Sequence, residues 1–416
     1  MFSDSVKEDL YHCLKCGMCQ QVCPTFKTTR QEYYAPRGRV QIVKHYLEGD
    51  LRITSTMEHA LMSCMLCDAC AALCPSGVRI DRLFRNMRLE LDHAIGKPLA
   101  KRIVFAALAK GSTTHRVAAA ARLGQKLFVD TLGLQLKIGN IPIERLPRLN
   151  KKPFRKRTPE RLSPEQKRIG RVVYFTGCAT DLIYGGVGDA VLEILLQLGI
   201  EVLVPRDLVC CSAPMFLSGA AKQALPNIIT NMDLLDRVEA DAIVVDCATC
   251  GAALKKGIPE LLEDLGMDTD KAKRVAKKVK DISQILAERI NDLRIQDSSA
   301  SEPLAVTYHD PCHLARGMGV TSEPRKILRS LPAVKLVEMQ GANECCGGGG
   351  SYQFDNVDLS AEITSRKKGN ISATGAKIVA TGCPGCRLTL AGNSSQDDHT
   401  EIVHTVELVS RFLAGK

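Results

Sequence analysis

Cys345-Cys346-Gly347-Gly348-Gly349-Gly350 is the stretch that governs the interpretation of this chain. Two adjacent thiols seldom serve packing, because their side chains leave the backbone in different directions. Both reach one metal assembly only where the chain bends sharply. The glycines that follow permit the bend, since Gly takes φ > 0 without steric cost. They also let backbone N–H groups come close to sulfur. Upstream lies Cys312, with 32 residues between it and Cys345; downstream lies Cys383-Pro384-Gly385-Cys386, with 36 residues between Cys346 and Cys383.

The same five-cysteine pattern occurs earlier. Cys178 is followed after 31 residues by Cys210-Cys211, and after a further 35 by Cys247-Ala248-Thr249-Cys250. The spacing repeats over a whole folding unit, so it marks a duplication and not a short solenoid period.

A second duplication fills the N-terminal quarter. Cys13, Cys16, Cys19 and Cys23-Pro24 form a C-x2-C-x2-C-x3-C-P run, and Cys64, Cys67, Cys70 and Cys74-Pro75 repeat it. This is the spacing of the bacterial two-cluster ferredoxin, in which the fourth cysteine of each run serves the other cluster. The expectation is one [4Fe–4S] cubane on Cys13, Cys16, Cys19 and Cys74, and a second on Cys64, Cys67, Cys70 and Cys23. Paired zinc ribbons are the competing reading, but they use separated C-x2-C pairs without the terminal proline run. The 40 residues between Cys23 and Cys64 exceed a compact ferredoxin. Residues 38–47, 57–62 and 80–91 carry apolar residues at helical spacing. Residues 1–95 therefore resemble the α-helical ferredoxin domain of succinate dehydrogenase and related iron–sulfur subunits.

Composition narrows the class. At 416 residues the chain has room for two or three cores, and its 18 cysteines are the anomaly. Met1-Phe2-Ser3-Asp4 opens without a basic region or an apolar run, so no signal peptide is expected. No stretch approaches 18 uncharged apolar residues, so no transmembrane helix is expected either. A cytoplasmic chain with clustered cysteines points to metal and away from disulfides. The formal charge of +10 counts every cysteine as neutral. Ligating thiolates bring it nearer zero, and no helix–turn–helix or zinc-finger spacing accompanies it, so no nucleic-acid partner is expected.

Residues 96–170 read as a helical and basic connector. Across 98–135, two amphipathic helices are expected. The first places Ile103, Val104, Ala107 and Leu108 on one face; the second carries Val117, Ala120, Ala121, Leu123, Leu127 and Phe128. Packing of these faces on a neighbouring domain is the preferred reading, with a peripheral seat on the inner face of the cell membrane as the alternative. From Arg145 to Arg171 the chain is strongly basic and broken by Pro147, Pro153, Pro159 and Pro164. It reads as a solvated linker, or as a docking surface for an acidic subunit.

Two units follow, 171–300 and 301–416. In each, short apolar runs alternate with helical segments, which implies a parallel sheet with helices on its faces. The runs are 172–175, 200–204 and 242–245 in the first unit, and 304–308, 334–337 and 377–380 in the second. Each cysteine group falls after a strand, where ligands of such folds gather. Five thiols suit neither zinc, which closes at four, nor a disulfide set, nor an ordinary cubane; they suit a larger or non-standard iron–sulfur assembly.

The pattern resembles the CCG domain, C-xn-C-C-G-xm-C-x2-C, of heterodisulfide reductase subunits. A two-cubane domain followed by two CCG domains resembles the iron–sulfur subunits of glycolate oxidase and D-lactate dehydrogenase. The implied fold is α/β: an N-terminal α-helical ferredoxin domain, then two duplicated Rossmann-like α/β CCG domains. The implied cofactors are two cubane [4Fe–4S] clusters and one or two further [4Fe–4S] clusters, non-cubane in type. These would sit on Cys178, Cys210, Cys211, Cys247 and Cys250, and on Cys312, Cys345, Cys346, Cys383 and Cys386. The first unit departs from the pattern at Ser212, which stands where Gly is expected, so zinc is the alternative there.

The implied role is an electron-transfer subunit. The partners would be an FAD-linked 2-hydroxyacid oxidase subunit and a quinone or other electron carrier. A heterodisulfide reductase-type catalytic subunit is the second reading, and a structural zinc protein the third. His309 and His313 flank Cys312 and are candidates for hydrogen bonds to cluster sulfur or for proton movement, against a purely structural role. No serine nucleophile motif and no H-E-x-x-H occur, and no catalytic side chain or flavin site is identified.

Overall fold

The computed structural model describes residues 2, 4–109, 111–125, 127, 137–138, 141–142, 148–296, 302–393 and 400–413. Residues 128–135 of the expected second connector helix lie outside this set.

The N-terminal region is helical. Asp4–Tyr11, Pro36–Leu47, Ser55–Met62 and Ile80–Ile95 pack through Val6, Val40, Val43, Leu61, Leu83, Phe84 and Met87. Pro36 opens its helix at a position where a missing N–H costs nothing. The Thr54 hydroxyl caps the next helix by accepting from the Met57 N–H at 3.2 Å. The two cysteine runs lie between these helices, each with a single helical turn, Met18–Gln21 in the first and Ala69–Ala72 in the second.

Two sheets form the rest. The first orders β1 (Arg161–Leu162), β3 (Ile200–Leu203), β2 (Gly170–Tyr174), β4 (Ala242–Val245) and β5 (Val279–Asp281), with β1 antiparallel and the others parallel. The second orders β7 (Val334–Leu336), β6 (Leu304–Tyr308), β8 (Ile378–Thr381) and β9 (Glu401–His404), all parallel. Leaving β1 aside, both sheets place the second strand of the unit outside the first, then the third and fourth. The duplication read from cysteine spacing is thus a duplication of topology. Both faces of each sheet are covered: in β2, Val172 and Tyr174 enter one core, while Val173 enters the other together with Phe175 just beyond the strand. The two cores run through both units.

The connector departs from the sequence reading. The expected helices form as Leu99–Leu108 and Gly111–Gly124, but the inward residue of the first is Phe105, 2 % exposed, while Ile103 and Val104 are 62 % and 54 % exposed. Val117, Leu123 and Leu127 are exposed as well. A helical period identifies an apolar stripe without saying what covers it. The basic run is not simply solvated either. Phe154 and Arg155 are buried, β1 joins the first sheet, and Arg161, Arg168 and Arg171 converge on the buried carboxylate of Glu201 at 2.5 to 2.9 Å. The prolines limit helix in this run to the single turn Phe154–Arg157.

The helical region docks on both units through charge. Arg79 and, from helix Ile80–Ile95, Asp81, Arg82 and Arg85 meet Lys256, Glu260 and Asp264 of the first unit. Lys27 pairs with Glu344 of the second unit at 2.6 Å, and Arg366 donates to the Thr28 hydroxyl at 2.8 Å.

Candidate iron–sulfur sites

The two N-terminal runs share an unusual backbone. Lys15 and Gly17 in the first, and Leu66 and Asp68 in the second, take φ of 56°, 82°, 48° and 59° at matching positions. Left-handed turns on either side of the middle cysteine wrap the chain around one point. For Leu66 and Lys15 that conformation is strained by about 1–2 kcal/mol each. Left-handed backbone at the same two places in both runs marks a built ligand site.

Cys13, Cys16, Cys19 and Cys74 line one small cavity together with Pro75 and Val78. The last cysteine of the second run thus faces the first run, as the ferredoxin spacing implies. Cys70 lies in the field of Cys64, Cys67 and Cys23; burial, then those neighbours, push its thiol well up. Thiols crowded this way resist ionising together, and a multiply charged cationic centre removes the conflict. Two buried guanidiniums flank the second run. Arg39 donates to the Ala60 carbonyl at 2.6 Å and to the Thr25 and Ser63 hydroxyls; Arg88 donates to the Leu217 carbonyl at 2.8 Å and the Cys64 carbonyl at 2.5 Å. Neither has a carboxylate partner among the described residues. Their charges lie beside the cysteine run, where they offset the net negative charge that four thiolates give a cationic iron centre. Arg39 shares a helix stripe with Pro36, Val40 and Val43; an arginine in an apolar phase was the overlooked signal.

In the C-terminal units the thiols form chains of contact. Cys211 accepts from Cys210 and Cys250 and is pulled below the ordinary thiol range by those bonds. Cys178 bonds Cys210, and Cys247 bonds Cys250. In the second unit Cys345 accepts from Cys312 and Cys346, and Cys383 accepts from Cys247 and Cys386; both are pulled well down. The structure therefore brings all five cysteines of each unit together. It also joins the units at Cys247–Cys383, which spacing alone did not anticipate. The Ala248 N–H donates to the Gly382 carbonyl at 3.2 Å across the same seam. Four cysteines follow their strands closely, but Cys210-Cys211 and Cys345-Cys346 sit on longer loops, well past Leu203 and Leu336.

Both double-cysteine loops turn left-handed at the next residue, Ser212 with φ 66° and Gly347 with φ 94°. The Ser212 hydroxyl donates to the Ala224 carbonyl at 3.2 Å, and its N–H lies 3.4 Å from Cys210 Sγ. The departure at Ser212 thus leaves the bend intact. At Gly347 a Cβ would meet the Thr364 hydroxyl and, at 2.8 Å, the Ser360 carbonyl oxygen.

The four thiol sets are contiguous. Cys67 of the second run lies in the field of Cys345, and Arg316 ties the Cys67 carbonyl to the second unit at 3.1 Å. His313 Nδ1 meets the Thr249 hydroxyl at 3.0 Å, and that hydroxyl lies 3.9 Å from Cys383 Sγ. A small cavity opens here, with Leu66, Asp68, Phe216, Thr249, Lys256 and His313 in its wall. Burial drives the His309 imidazole down to about 3.

Softness of the donor, crowding and unpaired guanidiniums together fit iron–sulfur centres. This fold and these sites define an iron–sulfur protein built from a dicluster module and two cysteine-rich units. Comparison with known proteins agrees. The 4Fe-4S dicluster domain family matches residues 9–78, and the cysteine-rich domain family matches 172–255 and 306–391. The chain is 28 % identical to the probable glycolate oxidase iron-sulfur subunit of Bacillus subtilis over 97 % of its own length and 94 % of the relative's. It is 27 % identical to the glycolate oxidase iron-sulfur subunit of Escherichia coli, covering 96 % and 93 %. It is 25 % identical to a subunit of the dihydromethanophenazine:CoB–CoM heterodisulfide reductase of Methanosarcina acetivorans, covering 97 % and 94 %. A crystal structure of a hypothetical protein from Helicobacter pylori superposes with a TM-score of 0.53 over all of this chain and 73 % of that one at 11 % identity, a likeness of fold alone.

The chain belongs to the family of iron–sulfur subunits that includes those of glycolate oxidase and, as relatives, subunits of heterodisulfide reductase. It is an electron-transfer subunit of an oxidoreductase complex. Among the described residues, no helix is long and apolar enough to cross a membrane.

Proposed function

We propose that four thiolate sets hold four centres, within domains spanning 1–95, 171–300 and 301–416 and a connector at 96–170. Cys13, Cys16, Cys19 and Cys74 hold one cubane, and Cys64, Cys67, Cys70 and Cys23 the second. Cys312, Cys345, Cys346, Cys383 and Cys386 hold a non-cubane [4Fe–4S] centre. Cys178, Cys210, Cys211, Cys247 and Cys250 hold another, with zinc as the alternative. Bound clusters of this kind exchange single electrons. The protein's part is spacing and charge. Cys19 lies in the field of Cys23, Cys67 stands by Cys345 and Cys247 by Cys383, so the sets form one unbroken line from exposed Cys16 to half-buried Cys178. That continuity is the observation that carries the reading.

The donor is an FAD-linked 2-hydroxyacid oxidase subunit working on glycolate or D-lactate, and the acceptor a quinone or other carrier. The names of the Bacillus subtilis and Escherichia coli relatives support glycolate. The location is cytoplasmic and peripheral to the membrane; Leu99, Ile103, Val104 and Leu123 stand exposed on the connector helices in its support. A second reading, disulfide reduction at the second unit, draws on the cavity beside His313 and on the name of the Methanosarcina relative.

One experiment separates them. The complex, purified without air, is given glycolate or D-lactate and, separately, a heterodisulfide. Bleaching of the visible absorption by a hydroxyacid is expected. Disulfide turnover without any hydroxyacid response would replace the first reading with the second.

A further inference from the structure

His309 and Phe175 occupy the same place in the two units. Each follows the unit's first strand and stands three residues before its first cysteine. Each donates its backbone N–H to the third strand, Phe175 to the Val244 carbonyl at 2.9 Å and His309 to the Ala380 carbonyl at 3.0 Å. Both side chains are fully buried. Phenylalanine is at home there. Imidazole is not: neither His309 ring nitrogen has a hydrogen-bond partner. A buried polar group left in that state costs roughly 1–3 kcal/mol. What the ring faces is sulfur. A ring nitrogen of His309 and the Sγ atoms of Cys346 and Cys386 all lie within 4.8 Å of one another. That separation suits three donors around one metal atom, and imidazole is a good ligand for iron and zinc alike.

We propose that His309 supplies an imidazole nitrogen to the metal centre of the second unit at its Cys346–Cys386 edge, making that site mixed thiolate–imidazole while the first unit's is thiolate alone. The two duplicated sites then differ in ligand field. The inference rests on the proposed centre at Cys312, Cys345, Cys346, Cys383 and Cys386.

The test uses full-length holoprotein prepared without air, grown with ordinary or 15N-labelled histidine. The paramagnetic signal that disappears in Cys346→Ser is examined by pulsed electron paramagnetic resonance. A nitrogen coupling that changes with the label, vanishes in His309→Phe and persists in His313→Phe is expected. His309→Phe copies the first unit's residue and so suits the buried position. A Cys346-dependent signal without histidine coupling, or with coupling that depends on His313, overturns the proposal and leaves the cysteine centre standing. If the centre is diamagnetic, release of metal to a chelator decides: at least tenfold faster loss of the Cys346-dependent metal in His309→Phe is expected, and an unchanged rate overturns the proposal. Absence of any Cys346-dependent metal overturns the centre and the proposal together.

Discussion

The Cys247 thiol of the first unit stands beside the Cys383 sulfur of the second, and the two sulfurs shift each other's ionisation. Two sites built by duplicated sequence therefore share a border. Cys383→Ser is expected to alter the spectroscopic signals of both cysteine-rich units. Cys178→Ser, at the far end of the first set, is expected to alter only the first. Low-temperature electron paramagnetic resonance of the two variants checks this; a Cys383→Ser change confined to one signal would mean the sites are electronically separate.

Arg39 places a buried charge beside the second ferredoxin run with no carboxylate to balance it among the described residues. Arg39→Met removes the charge and its hydrogen bonds to the Ala60 carbonyl and to the Thr25 and Ser63 hydroxyls, so two effects follow. Stability falls by about 3 kcal/mol or more, since hydrogen bonds to charged donors contribute about 1.5–3 each. The potential of the centre on Cys64, Cys67, Cys70 and Cys23 moves negative, because adding an electron there loses a nearby cation. Redox titration of that centre in wild type and variant provides the comparison. A positive shift, or none, would place the guanidinium's role in packing alone.

Ser212 and Gly347 make the same turn by different means. Ser212→Gly relieves about 1 kcal/mol of left-handed strain and gives up a hydrogen bond of similar size. Its metal content is expected to match wild type. Gly347→Ser drives a Cβ into Thr364 and Ser360 and is expected to lose the second unit's metal. Metal analysis of the two purified variants tests the contrast, and it fails if Gly347→Ser retains a full complement.

Much of this was readable from the chain. The C-x2-C-x2-C-x3-C-P runs carry their own wrapping geometry, and the two five-cysteine intervals announce a duplicated unit. The Cys247–Cys383 seam was not readable, because it depends on how two sheets face each other and not on any local spacing. Ile103 and Val104 misled because periodicity shows which side of a helix is apolar, whereas only the tertiary structure selects Phe105. Arg155 was hidden for the opposite reason. It sits in a basic, proline-rich run that looks solvated, and the carboxylate that draws it inside, Asp181, lies 26 residues away.

Asp181 sets an acid limit on this docking. Its buried carboxylate accepts from the Arg155 backbone N–H at 2.9 Å, from the Arg155 guanidinium at 2.8 Å, and meets His115 Nε2 at 2.8 Å. Burial alone would raise the carboxyl, but the Arg155 charge and hydrogen bonds prevail and hold it below the usual range. A lowered folded-state value means the stabilisation is complete above the unfolded value of about 3.9 and fades as pH falls through the folded one. Asp181→Asn is expected to cost about 3–5 kcal/mol at neutral pH, as breaking a buried pair does. The deficit relative to wild type should shrink below about pH 4. Thermal unfolding across pH measures it; a deficit that grows with acid would contradict the assignment.

Thiolates gathered at four inorganic centres along one chain are what every functional step above depends on. Iron, zinc and sulfide analysis of protein made and purified without air puts that to the test. About sixteen iron atoms per chain are predicted for four [4Fe–4S] centres, or about twelve with one zinc if the first cysteine-rich unit takes zinc. Colourless protein without iron or sulfide would contradict it.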